Sequence, residues 1–232
     1  PGYVRRSVEG NLEHDAELAG GWVRATGSTS FERAAGAALG SPFGMGNAAS
    51  WHAPDAVREV ASVPCGSYRV EALRAIGGFD EGQLANQDYE ANYRLRQAGG
   101  RAVLLPDVWF EYVPRGSLVR LSRQFWRYGF YKARTMVKHP ASIRPRHLVP
   151  AAALLAAPAV VAAAAVSPAA RWAAGAAIAV YAGGVLAGTA LEAGRIGRAA
   201  AWLPLVFPAM HLSWGAGNVA GLARFLVARP SR

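Results

Sequence analysis

At 232 residues, 52 % of them hydrophobic, the chain is long enough for one sizeable soluble unit with further elements. Residues 1–147 hold 19 Lys or Arg and 14 Asp or Glu, whereas residues 148–232 hold six Arg and one acid, Glu192; the first part reads as soluble and the second as lipid-like. The net charge of +10 gathers just ahead of the apolar tail, where anionic head groups would lie, which argues for membrane lipids and against nucleic acid as the partner. Cys65 is the only cysteine, so an internal disulfide framework and a multi-cysteine zinc site are excluded, and a reducing, cytoplasmic face fits.

In chain order, residues 2–18 place Val4, Val8 and Leu12 on one stripe, the pattern of an amphipathic surface helix. A short β-prone run from Gly20 to Thr26 follows, then an Ala-rich helix from Phe31 to Leu39, which Pro42, Gly44 and Gly46 bring to a stop in a loop reaching Asn47. Val60–Tyr68 is a short apolar segment holding Pro64 and Gly66, and a helix from Val70 to Ile76 closes at Gly77 and Gly78. A polar helix is expected from about Asn86 to Ala98, ended by Gly99 and Gly100, with a strand at Ala102–Leu105. Such alternation predicts an α/β fold with helices flanking a sheet over residues 1–112.

Residues 113–147 differ in kind. From Arg115 to Arg146 the chain carries nine Lys or Arg interleaved with Phe125, Trp126, Tyr128, Phe130 and Tyr131, and no acid occurs between Glu111 and Glu192. A basic, aromatic helix of this type can lie at head-group level, with an ordinary solvated helix as the alternative. Three apolar stretches within residues 148–232, at about 148–166, 172–191 and 199–223, each approach the ~20 residues that span hydrocarbon. For the first, an Ala-rich core helix is the competing reading. Arg144 and Arg146 ahead of the first stretch put the soluble part on the cytoplasmic side of a multi-pass protein. Three crossings would then carry Arg224, Arg229 and Arg232 outside, against the positive-inside tendency, unless the stretch with Pro204 and Pro208 is re-entrant or broken.

The segment Gly77-Gly-Phe-Asp-Glu81, followed by Asn86-Gln-Asp-Tyr-Glu90, resembles the acceptor-side signature of inverting family-two glycosyltransferases of GT-A type. The resemblance makes Asp88 the general base, with Gln87 beside it; the alternative is that Asp88 merely caps the helix. An ionised Asp88 is expected, because free N–H groups and the helix dipole favour the anion there. Glu90 points to another side of the helix and reads as structural. Gln124-Phe-Trp-Arg127-Tyr128 resembles the QxxRW signature of membrane-bound synthases in that family, with Tyr128 in place of the final Trp. The resemblance implies that Arg127 faces the leaving diphosphate, Tyr128 lines the acceptor site and Gln124 helps hold the nucleotide loop.

The loops at Ser41–Asn47 and Val63–Ser67 look like those of the ExoA-like succinoglycan glucosyltransferase subgroup. Gly66 and Ser67 would sit where acceptor sugars approach, or Gly66 would serve only a tight turn. The bacterial plasma-membrane enzyme so implied transfers sugar from a nucleoside diphosphate sugar to a polyprenyl-linked glycan in exopolysaccharide synthesis. A synthase that charges polyprenyl phosphate itself and a non-catalytic membrane subunit are the alternatives. The family's Mg²⁺ or Mn²⁺ is held by an Asp-x-Asp, and none occurs here, so those ligands are expected outside this chain, in a preceding part. A fragment of this kind is expected to be inactive alone. The five histidines show no ligand spacing, and no metal site is assigned to them.

Overall fold

A computed structural model describes residues 2–46 and 49–227. Asn47, Arg229 and Arg232, named above, lie outside the described residues. The elements are α1 (Gly2–Glu13), β1 (Leu18–Ala25), α2 (Ser30–Gly40), α3 (Pro42–Met45), β2 (Arg58–Glu59), β3 (Ser67–Tyr68), α4 (Val70–Ala75), α5 (Gln87–Gln97) and β4 (Ala102–Tyr112). There follow α6 (Leu118–Lys138), α7 (Pro145–Val166), α8 (Pro168–Ile196) and, after a 3₁₀ turn at Gly197–Trp202, α9 (Leu203–Val227). They form two units: residues 1–26 with 47–113, and residues 27–46 with 114–232.

The first unit is a small mixed sheet with helices. Its order is β2-β4-β1-β3, with β1 parallel to β4 and the two short strands antiparallel at the edges. Alternation along β4 sends Ala102 and Leu104 into a cluster with Leu18, Val60, Val63 and Leu95, and Val103 and Leu105 into one with Ala16, Ala19 and Val108. β4 runs seven residues past the expected Leu105, because the register shift at Gly21/Trp22 lets Trp22 resume pairing opposite Trp109. Trp22 Nε1 donates to the Pro106 carbonyl across the shift (3.2 Å).

Helix α1 forms where expected but turns the other way. Ser7, Gly10 and Asn11 face inward, and Val4, Val8 and Leu12 are exposed. The reason is polar: Asn11 Nδ2 donates to the Ser67 carbonyl (2.9 Å), tying α1 to β3 through a bond that hydropathy does not register.

The second unit is helical. Thr29 and Glu32 start α2 with a reciprocal cap, the Thr29 hydroxyl accepting from Glu32 N–H (3.1 Å) and the Glu32 carboxylate from Thr29 N–H (3.0 Å). Two helical runs are long and apolar enough to cross a membrane, α7 and the 60-residue run Pro168–Val227, which the turn at Gly197–Trp202 divides into α8 and α9. α6 is not an isolated surface helix: Leu121, Phe125, Gly129, Lys132, Ala133 and Met136 are buried along one face. That face meets α9 at backbone distance. A Cβ on Gly129 would lie 1.9 Å from the Trp214 carbonyl oxygen, and one on Gly217 would lie 2.0 Å from that of Trp126, so only glycine permits this approach. Asn218 Nδ2 donates to the Gly129 carbonyl (3.2 Å).

His211 of α9 is a hydrogen-bonded packing residue. Its Nε2 lies 2.9 Å from the Phe43 carbonyl and its Nδ1 2.9 Å from the Tyr181 hydroxyl. A carbonyl can only accept, so Nε2 carries the proton and Nδ1 accepts from Tyr181.

Candidate active site

In the first unit, Asp88 stands in the first turn of α5. The cap position belongs to Asn86, in left-handed conformation (φ 57°) and making no side-chain cap bond, so Asp88 is not the cap. Its carboxylate accepts from the Tyr89 N–H at 2.7 Å. Burial nevertheless raises the Asp88 pKa above its ordinary value, outweighing the Tyr89 N–H and its own N–H, which lower it. Desolvation thus exceeds the pull of the N–H groups at the helix N-terminus, so the carboxylate gives up its proton less readily than an exposed one would. A raised pKa makes the carboxylate a better proton acceptor.

Around Asp88 the unit assembles the 63–68 loop. The Asp88 charge acts on Cys65 and Tyr68, and burial together with that charge pushes both of their pKa values up. Tyr68 donates from its hydroxyl to Asn92 Oδ1 (2.5 Å) and packs edge-on against Phe79 of the Gly-Gly-Phe turn. Asn92 Nδ2 in turn donates to Ser62 Oγ (2.8 Å) and the Val63 carbonyl (3.1 Å), so one α5 side chain holds both ends of the loop. Sequence reasoning missed Tyr68 and Asn92. The signal for Asn92 was available, since four residues after Asp88 is the same face of a helix.

Gly66 is explained by close packing: a Cβ there would lie 2.5 Å from Leu18 Cδ1 and 3.1 Å from the Ala19 carbonyl. Ser67 is in β3, paired with Ala19, and Gln87 is exposed at the first position of α5.

The Gly-Gly turn is fastened from below. Arg94 spans the buried Glu90 carboxylate at 2.7–3.0 Å and donates to the Gly78 carbonyl (2.7 Å) and to that of Ile76. Glu90 is thus structural, as its place on the helix indicates.

In the second unit, Gln124 Nε2 donates to the Tyr128 hydroxyl at 2.7 Å, one turn apart on α6. Both are half-buried, while Arg127 is exposed, like Arg120 and Arg123. Lys132 departs from the expectation of lipid-facing cations. Burial, then Arg146 and Arg144, bring its pKa down to about 7 from 10.5. Because the folded value lies below the unfolded one, Lys132 holds no proton in the folded state across this window while the unfolded chain does. Stability should therefore rise with pH between about 7 and 10 and level off below about 7, where both states hold the proton. Thermal midpoints at pH 7 and pH 9 should climb for the native chain and stay level for Lys132→Met; equal climbs would assign an ordinary amine to Lys132.

Among the described residues no three His, Cys, Asp or Glu side chains gather as metal ligands. The described residues thus supply no ligand cluster for Mg²⁺ or Mn²⁺.

No protein-family model matches the chain, and no solved structure matches it. It is 31 % identical over 217 residues to the succinoglycan biosynthesis protein ExoA of Rhizobium meliloti (strain 1021). The alignment takes in 93 % of this chain and 64 % of ExoA, so the chain spans less than two thirds of that relative. The covered stretch is long enough to include most of both units.

Proposed function

We propose that the chain carries the acceptor-side part of an inverting family-two glycosyltransferase that acts in exopolysaccharide synthesis at a bacterial plasma membrane. The observation that supports it best is Asp88: a carboxylate of raised basicity in the first turn of α5, beside the Cys65–Tyr68 loop. Similarity to a protein of succinoglycan synthesis supports the same reading.

In this reading an acceptor hydroxyl oxygen forms a bond to the anomeric carbon of a nucleoside diphosphate sugar as the carbon–oxygen bond to the diphosphate breaks. The hydroxyl proton passes to Asp88. The diphosphate leaves with the bonding pair, and Arg127 offers paired guanidinium donors to the charge. The acceptor is a glycan on a polyprenyl carrier. The apolar helices anchor the enzyme, with the α/β unit in the cytoplasm.

The test is transfer of labelled sugar to lipid-extractable acceptor by membranes bearing the cellular protein that contains this chain. Arg127→Lys should lower transfer at least about tenfold, because an ammonium cannot copy the planar fork, whereas Arg123→Lys should leave it unchanged. Equal, mild losses would make Arg127 one more surface cation, and label recovered only as free sugar would remove the transferase reading.

A further inference from the structure

Helices α6 and α9 pack side by side and run in the same direction. A Cβ on Gly217 would meet the Trp126 carbonyl and one on Gly221 would meet that of Phe130; one turn further, Phe130 stacks edge-on with Phe225 and Arg134 lies over the Phe225 ring. Each step of four residues on α6 is matched by four on α9. α6 carries six Lys or Arg and cannot lie across hydrocarbon. Whatever depth α6 takes, the second half of α9 shares.

The first half of α9 is held in a similar way. Phe31 of α2 packs edge-on against Trp202, the last residue of the 3₁₀ turn that leads into α9, and Phe43 of α3 packs on Phe207 and accepts from His211. α2 and α3 lie in chain order between strands β1 and β2. Both halves of α9 are thus packed against helices outside the α7–α8 pair, α2 and α3 at its start and α6 at its end.

α7 and α8 are different. Their facing residues near α9 are buried at Ala151, Val185 and Gly188, but from residue 152 to residue 183 nearly every side chain is exposed, with Val161 at 69 %, Val166 at 85 % and Trp172 at 81 %. No Asp, Glu, Lys or Arg occurs between Arg146 and Arg171, or between Arg171 and Glu192. At about 1.5 Å per residue the 22 residues of α7 and 29 of α8 give roughly 33 and 43 Å, enough for a ~30 Å hydrocarbon core.

We infer that the chain crosses the bilayer twice, as an α7–α8 hairpin surrounded by lipid, and that α9 lies beside α6 on the cytoplasmic face without crossing. This rests on the membrane attachment proposed above. It keeps Arg144, Arg146, Arg195, Arg198 and Arg224 on one side and leaves only Arg171 on the other, which removes the charge conflict of a three-crossing chain.

Single cysteines at Ala169 and Val227, both exposed, can be read in the Cys65→Ala background with a membrane-impermeant maleimide on spheroplasts, before and after permeabilisation and relative to labelling in SDS. Ala169→Cys should label in intact spheroplasts, and Val227→Cys should label about tenfold less until they are permeabilised. Full labelling of Val227→Cys in intact spheroplasts would mean three crossings, and protection of Ala169→Cys would mean none; either overturns the inference. A carbonate wash separates the two levels: release of the native chain would defeat membrane attachment itself and would leave a second copy as what covers the hairpin.

Discussion

Asp88→Asn should lower sugar transfer by about 10²- to 10⁴-fold and at the same time make the folded protein more stable at pH 7. The two effects share one cause. Burial raises the Asp88 pKa, so the protonated form suits the folded state better than the carboxylate does. The stability this group contributes is fully present below the unfolded carboxylate pKa and is lost as pH rises through the higher folded value. At pH 7 the charge is a burden, and a neutral amide of the same shape removes it. Thermal midpoints of the native and Asn forms, measured from pH 8 down to pH 4, should converge as the carboxylate protonates. Transfer at the native rate would take the base role from Asp88. A lower midpoint for the Asn form at pH 7 would make the carboxylate a structural acceptor for the Tyr89 N–H instead.

Arg94→Leu should destabilise the protein by about 3–5 kcal/mol, the usual effect of stripping one partner from a buried ion pair. Glu90 is fully buried and the Arg94 side chain 17 % exposed, and the same guanidinium also satisfies the Ile76 and Gly78 carbonyls. Its loss leaves a charge in a dry site and frees the Gly77–Gly78 turn. The double change Glu90→Leu with Arg94→Leu should be milder than the single one, because no lone charge remains. Arg5 and Glu9 are the comparison: also four apart on a helix, but both well exposed, so that Arg5→Leu should change stability by less than ~1 kcal/mol. Equal small effects at Arg94 and Arg5 would show that water reaches the Glu90 carboxylate.

Much of this protein is legible in its amino-acid order alone. The fall in charge after residue 147 sets the apolar α7–α9 stretch apart from what precedes it, because ions and hydrocarbon exclude each other regardless of how the chain folds; it does not mark the limit of the α/β unit, which ends at residue 113 and gives up residues 27–46 to the helical unit. Local chemistry places α2 and α5 to within two residues. The Gly99 that follows α5 takes φ 85°, a conformation that side chains avoid. Asp88, Gln124 and Arg127 stand out because their spacing matches a known signature.

Tertiary structure alone decided which neighbours these residues have. The basicity of Asp88 depends on burial beside the 63–68 loop, well upstream in the chain, and no count along the helix contains that desolvation. The turning of α1 depends on the Asn11–Ser67 bond, which holds an apolar stripe outward. α9 is as apolar as a spanning helix, yet Gly217 and Gly221 bring it against the basic α6. Hydropathy measures a segment's transfer from water; it cannot say whether lipid or another helix receives it.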